Sequence, residues 1–214
     1  MLTIKAFTFN PLGENTYVLS DETQETVIID PGCYEKYEQE ELLDYIKAKQ
    51  LKVVKLLNTH GHVDHVLGNY FVKEQFQVPL LIYPGDEATL RSVATYAPVY
   101  GFNQYTPAEP DGYLEEGTNV TFGNTTLKVL FVPGHAPGHI AFLHEASKQV
   151  IAGDVLFYES IGRADLPGGN FNTLIKSIHT QLFTLPDETK VYPGHGPATT
   201  IAHEKKHNPF CAVK

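Results

Sequence analysis

Four times along this chain a short apolar run ends in a histidine or an aspartate beside glycine. Val53 to Asn58 leads into Thr59-His60-Gly61-His62-Val63-Asp64-His65, and Thr125 to Val132 into Pro133-Gly134-His135. Gln149 to Ala152 leads into Gly153-Asp154, and Lys190 to Tyr192 into Pro193-Gly194-His195-Gly196. Each run reads as a strand, and glycine at its end lets backbone pass close to an ion. Chance does not place four such ends in a chain of 214 residues. The first is the densest. Residues two apart in an extended segment point the same way, so His60 and His62 can share one ion. Asp64 and His65 follow at the turn into the next helix and can point to a second. Imidazole and carboxylate together suit zinc, iron or manganese.

Composition supports this reading. There are ten histidines against two cysteines, one methionine and no tryptophan. With 42% hydrophobic and 19% charged residues the balance is that of a globular chain. Sixteen basic against twenty-five acidic residues give −9, the wrong sign for a phosphate backbone, so no nucleic-acid partner is expected. Cys33 and Cys211 are far apart and form no CxxC, which fits a reduced, cytoplasmic protein. Met1 to Asn10 lacks the apolar core of a signal peptide. No run approaches the roughly 20 apolar residues of a membrane span, so no membrane partner is expected.

The remaining pattern is of strand clusters with helices between them. Strands are expected at Leu2 to Phe9, Asn15 to Ser20, Thr26 to Asp30, Leu80 to Tyr83, Val120 to Phe122 and Ile140 to His144, besides the four runs above. Helices are expected at Glu35 to Gln50, from the histidine motif to about Phe76, and at Asp86 to Thr95, Phe171 to Leu185 and Thr199 to Lys206. Tyr96 to Gly112 reads as loop. With no linker or repeat, residues 1–214 are expected to form a single domain of two packed sheets covered by helices.

These motifs closely resemble those of the metallo-β-lactamase-fold hydrolases, and within them the compact, single-domain members of the glyoxalase II-like (hydroxyacylglutathione hydrolase-like) group. The resemblance runs from Asn15-Thr16-Tyr17 and Asp30-Pro31-Gly32, through the ligand motifs, to Asn208-Pro209-Phe210. It implies a four-layer αββα sandwich with two divalent metal ions, zinc first and iron or manganese next, at one edge between the sheets. It also implies the ligands: His60, His62 and His135 for one ion, Asp64, His65 and His195 for the other, with Asp154 bridging. The implied reaction is cleavage of a hydroxyacyl thioester, S-lactoylglutathione or a related glutathione conjugate, by a hydroxide shared between the ions. A thiolate leaving group needs little acid help, its thiol having a pKa near 8.5. Asp64 and Asp154 are thus both ligands and catalytic groups, and no GxSxG nucleophile elbow is present or needed.

Two departures matter. The basic C-terminal helical region that larger glyoxalase II enzymes use for glutathione has no counterpart after His195. The set also lacks the cysteine ligand of the best-known β-lactamases of this fold, which argues against antibiotic hydrolysis as the main role. The segment Gly162-Arg163-Ala164-Asp165 also resembles the persulfide dioxygenases, which share the His-x-His-x-Asp-His motif and use one iron; that is the alternative function. Around the ligands, Asp30 is expected to accept a hydrogen bond from a ligand imidazole. His139 either supports a ligand or is simply packed. Arg163 is a candidate clamp for a substrate carboxylate, or else pairs with Asp165. Tyr158 is a candidate lining residue. His144, His179, His203 and His207 read as ordinary histidines. The oligomeric state is left open.

Overall fold

The protein is described here by a computed structural model covering residues 1–213. Its first half contains β1 (Thr3–Phe9), β2 (Glu14–Ser20), β3 (Glu25–Ile29), α1 (Lys36–Ala48) and β4 (Lys52–Leu57). These are followed by α2 (Val63–Val66), α3 (Asn69–Phe76), β5 (Leu80–Ile82), α4 (Glu87–Tyr96) and β6 (Gly112–Tyr113). The strands form one sheet in the order β1-β2-β3-β4-β5-β6, antiparallel up to β3 and parallel from β3 to β6.

The second half supplies β7 (Asn119–Phe122), β8 (Thr125–Phe131), β9 (Ile140–His144) and β10 (Gln149–Gly153), then a small hairpin of β11 (Leu156–Phe157) and β12 (Ser160–Ile161). It ends with α5 (Phe171–Ser177), β13 (Lys190–Pro193), β14 (Thr199–Thr200) and α6 (Ile201–His207). Its main sheet runs β14-β13-β10-β9-β8-β7.

Strand alternation explains the layering. On the first sheet Val18, Ile28, Leu56 and Leu80 face outward and pack with Leu42, Ile46, Val72, Leu90 and Val93 from the helices. Their neighbours Tyr17, Leu19, Val27, Ile29 and Leu57 face inward and meet Leu127, Val129, Ile140, Phe142 and Ile151 of the second sheet. The outer face of that sheet, including Leu143, Val150 and Val191, packs on Leu174, Ile178 and Ile201. Both faces of the central strands are therefore covered, which is why β2 is buried along its whole length. The result is the four-layer αββα sandwich.

Three local expectations need correction. The helix expected over Phe171 to Leu185 ends as α-helix at Ser177 and continues as a wider π turn over Ile178–Leu182. Leu174, Ile178 and Leu182 are spaced by four, so a regular helix would carry each about 40° off the buried face; the wider turn brings Leu182 back. Thr199 and Thr200 do not open the last helix but pair with Val191 and Lys190, and Thr200 Oγ1 then caps α6 by accepting from His203 N (3.2 Å). Inside the expected loop, Ala97–Tyr100 forms a 3-10 turn and Gly112 begins the edge strand β6.

Candidate metal centre

Strand direction assembles the centre. β8 and β10 each run antiparallel to β9, and β13 runs parallel to β10, so all three end at one edge of the second sheet. Those ends carry His135, Asp154 and His195. β4 brings His60, His62, Asp64 and His65 to the same edge from the first sheet.

Two donor groups result. His60 Nε2 lies 3.2 Å and His62 Nδ1 2.8 Å from His135 Nε2. The ligating atoms of Asp64, His65 and His195 also lie within 4.8 Å of one another, with His195 Nε2 3.0 Å from Asp64 Oδ2. Asp154 stands between the groups. Its Oδ1 is 3.3 Å from His65 Nε2, while its Oδ2 is 3.5 Å from His195 Nε2 and 3.6 Å from His135 Nε2.

The outer nitrogens decide which way each lone pair points. Thr59 Oγ1 donates to Asp30 Oδ2 (2.5 Å), so the same oxygen is left to accept from His60 Nδ1 at 3.0 Å. His65 Nδ1 donates to Asp30 Oδ2 (3.2 Å), His135 Nδ1 to the Arg163 carbonyl (2.7 Å) and His195 Nδ1 to the Gly13 carbonyl (3.2 Å). Four imidazoles thus hold their Nδ1 proton outward and turn the Nε2 lone pair inward, as metal-binding histidines require. Asp30, His60 and His65 also cluster closely, but their facing atoms are engaged with one another and with Thr59.

Charge differs between the two donor groups. Burial pushes the His60 and His139 imidazoles well down and lowers His62 to about 4, all favouring the neutral ring. Burial alone would also depress His65, but the Asp154 and Asp64 carboxylates outweigh it and raise its pKa. For Asp154 burial acts upward, yet His65 and the neighbouring histidines hold the carboxyl far below its usual range. Asp154 Oδ1 and His65 Nε2 are buried with no hydrogen-bond partner among the described residues. Buried polar atoms are normally paired. Convergent unpaired donors beside ionised carboxylates therefore fit a pair of divalent cations.

A family model, "Metallo-beta-lactamase superfamily", matches residues 9–195. The chain belongs to this superfamily. Among its relatives, the hydroxyacylglutathione hydrolase GloC of Haemophilus influenzae is 36% identical over 203 residues, covering 94% of each chain. A solved structure of the BLEG-1 B3 metallo-beta-lactamase matches with TM-score 0.90 and 36% identity over 99% of this chain and all of that one. The structure of TTHA1623 in a di-iron-bound form matches with TM-score 0.86 and 38% identity, over 96% of this chain and 99% of that one.

Around the superfamily motifs, the structure shows what the other expected residues do. Asp30 accepts from Thr59 N–H (2.7 Å) and from His65 Nδ1 (3.2 Å). His139 stacks on His60 (centroids 4.6 Å, 19°), and its Nε2 accepts the Asp154 backbone N–H at 3.0 Å, so it holds the peptide of Asp154 in place. Arg163 lies at the centre in two ways. Its carbonyl orients His135, while its exposed guanidinium grips Asp165 through two hydrogen bonds (2.7 and 2.8 Å).

Tyr158 corrects an expectation. The hairpin turn sends Phe157 inward, edge-on to His195 (centroids 6.1 Å), and Tyr158 outward, where it stacks on His203. Tyr158 does not line the cavity over the candidate ligands. Period-two alternation was a readable signal for that difference.

Several residues have supporting roles that the sequence reading did not assign. Asp86, fully buried, accepts from Gly138 N (3.1 Å), Thr89 Oγ1 (3.0 Å) and Gly61 N, tying the His60–His62 loop to the His135–His139 loop. Asn15 Nδ2 donates to the carbonyls of Pro193 (3.1 Å) and Gly196 (2.9 Å), and the Tyr17 hydroxyl donates to Pro193 (2.6 Å), which fixes the His195 loop. Glu14 is buried behind His65, and burial pushes its carboxyl well up. Gly194 is required where it is, because a Cβ there would strike Asp154 Oδ1 and come within 2.7 Å of the His65 ring.

A cavity of about 1090 Å³ opens over the candidate ligands. One wall comes from α4 and the following turn, including Ala88, Tyr96, Val99 and Tyr100; the other includes Phe157, Ile161, Arg163, Leu166 and Pro167. Among the described residues no helix is long and apolar enough to cross a membrane.

Proposed function

We propose that this protein is a dinuclear metal-dependent hydrolase that cleaves a hydroxyacyl thioester, with S-lactoylglutathione or a related glutathione conjugate as substrate. The observation that carries the reading is Asp154, whose carboxylate lies 3.3 to 3.6 Å from histidines of both donor groups, in a centre with no sulfur ligand. His60, His62 and His135 would hold one ion and Asp64, His65 and His195 the other, with Asp154 touching both. Bound there, two divalent ions lower the pKa of water towards about 7 and polarise a carbonyl. We take them to be zinc; the di-iron form of TTHA1623 makes iron the competing assignment.

The chain's own groups do the rest. Asp30, Thr59, Arg163 O and Gly13 O keep the imidazole protons on the outer nitrogens. The apolar walls exclude bulk water and strengthen the electrostatics at the base. Arg163 is the one guanidinium at the cavity and would receive a substrate carboxylate in exchange for Asp165. The departing thiolate needs no dedicated acid. The relative GloC supports the thioester class. Cys33 and Cys211 are both buried and free, and with them we place the protein, as one domain, in the cytoplasm.

The test is metal analysis of protein purified without added metal, joined to a substrate panel. Two ions per chain and oxygen-independent cleavage of S-lactoylglutathione are expected. The likeness to the BLEG-1 structure puts a β-lactam in the panel. One iron per chain with oxygen uptake on glutathione persulfide would replace this reading with the dioxygenase one. Turnover of the β-lactam alone would replace it with antibiotic hydrolysis.

A further inference from the structure

The cavity is larger and more apolar than a lactoyl group requires. Ligand pockets run roughly 300–1,000 Å³, and this one reaches about 1090 Å³. Leu12, Tyr96, Val99, Phe157, Ile161 and Leu166 all line it. The rim is apolar as well: Leu12 is 43%, Tyr100 52% and Val99 84% exposed. Large hydrophobic side chains left open around a reactive base mark a surface that something apolar covers. The only guanidinium there is already neutralised by Asp165. A tripeptide thiol with two carboxylates therefore finds one partly engaged cation, whereas a hydrocarbon chain finds most of the wall.

We infer that the site has a second substrate class: thioesters of medium-chain, unsubstituted acyl groups, with the chain lying along the α4 wall and the thiol portion towards Arg163. This rests on the thioester-hydrolase reading. The reaction balances as hydrolysis. The oxygen of water bonds to the acyl carbon, the carbon–sulfur bond breaks with its electron pair on sulfur, and the products are a carboxylate, a thiol and one released proton. No oxidant or further reactant is needed.

The test is kcat/KM for a series from acetyl to octanoyl on one neutral thiol, N-acetylcysteamine, beside S-lactoylglutathione, on protein with measured metal content. Burial of each methylene predicts a rise of about two- to four-fold per step, carried by KM. Val99→Asp should flatten the series, lowering the octanoyl-to-acetyl ratio by about ten-fold, a ratio that the fraction of folded protein does not change. Independently, octanoate should displace the apolar dye 1-anilinonaphthalene-8-sulfonate from the metal-loaded protein and acetate should not. A flat or falling series with lactoyl and acetyl thioesters still cleaved would overturn this inference alone, as would equal displacement by the two acids. Cleavage of no thioester at full metal loading would overturn the hydrolase reading and this one with it.

Discussion

Asp86 touches none of the candidate ligands, yet its replacement by asparagine should be among the most damaging conservative changes in the protein. The carboxylate accepts two buried backbone N–H groups, of Gly61 and Gly138, besides the Thr89 hydroxyl. An amide has one oxygen to offer the two glycines and turns its NH₂ on whichever is left, donor against donor. An unpaired buried donor costs about 1–3 kcal/mol, and loss of the charge-assisted bond adds to it. A total of about 2–4 kcal/mol is expected for Asp86→Asn, and more for Asp86→Ala, which leaves both N–H groups bare. For a chain of this size that is a fall in Tm of roughly 4–16 °C. The damage should also be selective. The loops Asp86 joins carry His60, His62 and His135, whereas Asp64, His65 and His195 are held from elsewhere. Circular-dichroism melts and metal counts after dialysis provide the check: lower Tm, and loss of one ion before the other. A variant that melts within about 2 °C of the parent and keeps its full metal content would refute the reasoning.

Other outcomes follow from the same geometry. Asp154→Ala should lower turnover by orders of magnitude and loosen at least one ion; normal metal content and rate would remove it from between the two donor groups. Arg163→Ala should raise KM for a carboxylate-bearing thioester more than it lowers kcat, since the carbonyl that orients His135 survives the change; KM values for acidic and neutral substrates decide it. Asp21 is a test of pH dependence. Burial pushes its carboxyl up, but donors from Thr23, Asn124 and Thr125 outweigh this and hold it below its usual value. A depressed folded pKa contributes stability above the unfolded value near 3.9, and that contribution is lost as pH falls through the folded pKa. Asp21→Asn should therefore be least stable relative to the parent at neutral pH, with the gap closing below about pH 4 in urea titrations.

The seven candidate ligands stood out in the sequence because they cluster just after four apolar runs, so local pattern and chemistry coincide in a few residues. The layers were legible because β2, β3 and β4 read as short apolar or β-branched runs, and strands of that kind are buried on both faces. The structural roles of Asp86, Asn15 and Glu14 were not legible. The distant partners that give them these roles lie 25 to 181 residues away, and nothing in the local sequence separates a loop-tying polar side chain from a solvated one. Arg163 escaped in a different way, because its contribution to His135 comes from a backbone carbonyl that any residue possesses. The two-residue strands β6, β11, β12 and β14 carry too little pattern to be seen without the neighbours that pair with them.

The clamp between β2 and the His195 loop ties residues 176 to 181 positions apart. Contacts of such separation close a loop of nearly the whole chain, and that closure entropy must be met before they reward the fold. The His60, His62 and His135 group needs a closure of only 75 residues. In order of synthesis, the residues of the first donor group all precede β13, whereas the second group is complete only after His195. An ion held by Asp64, His65 and His195 would therefore require β13 and the His195 loop to be in place.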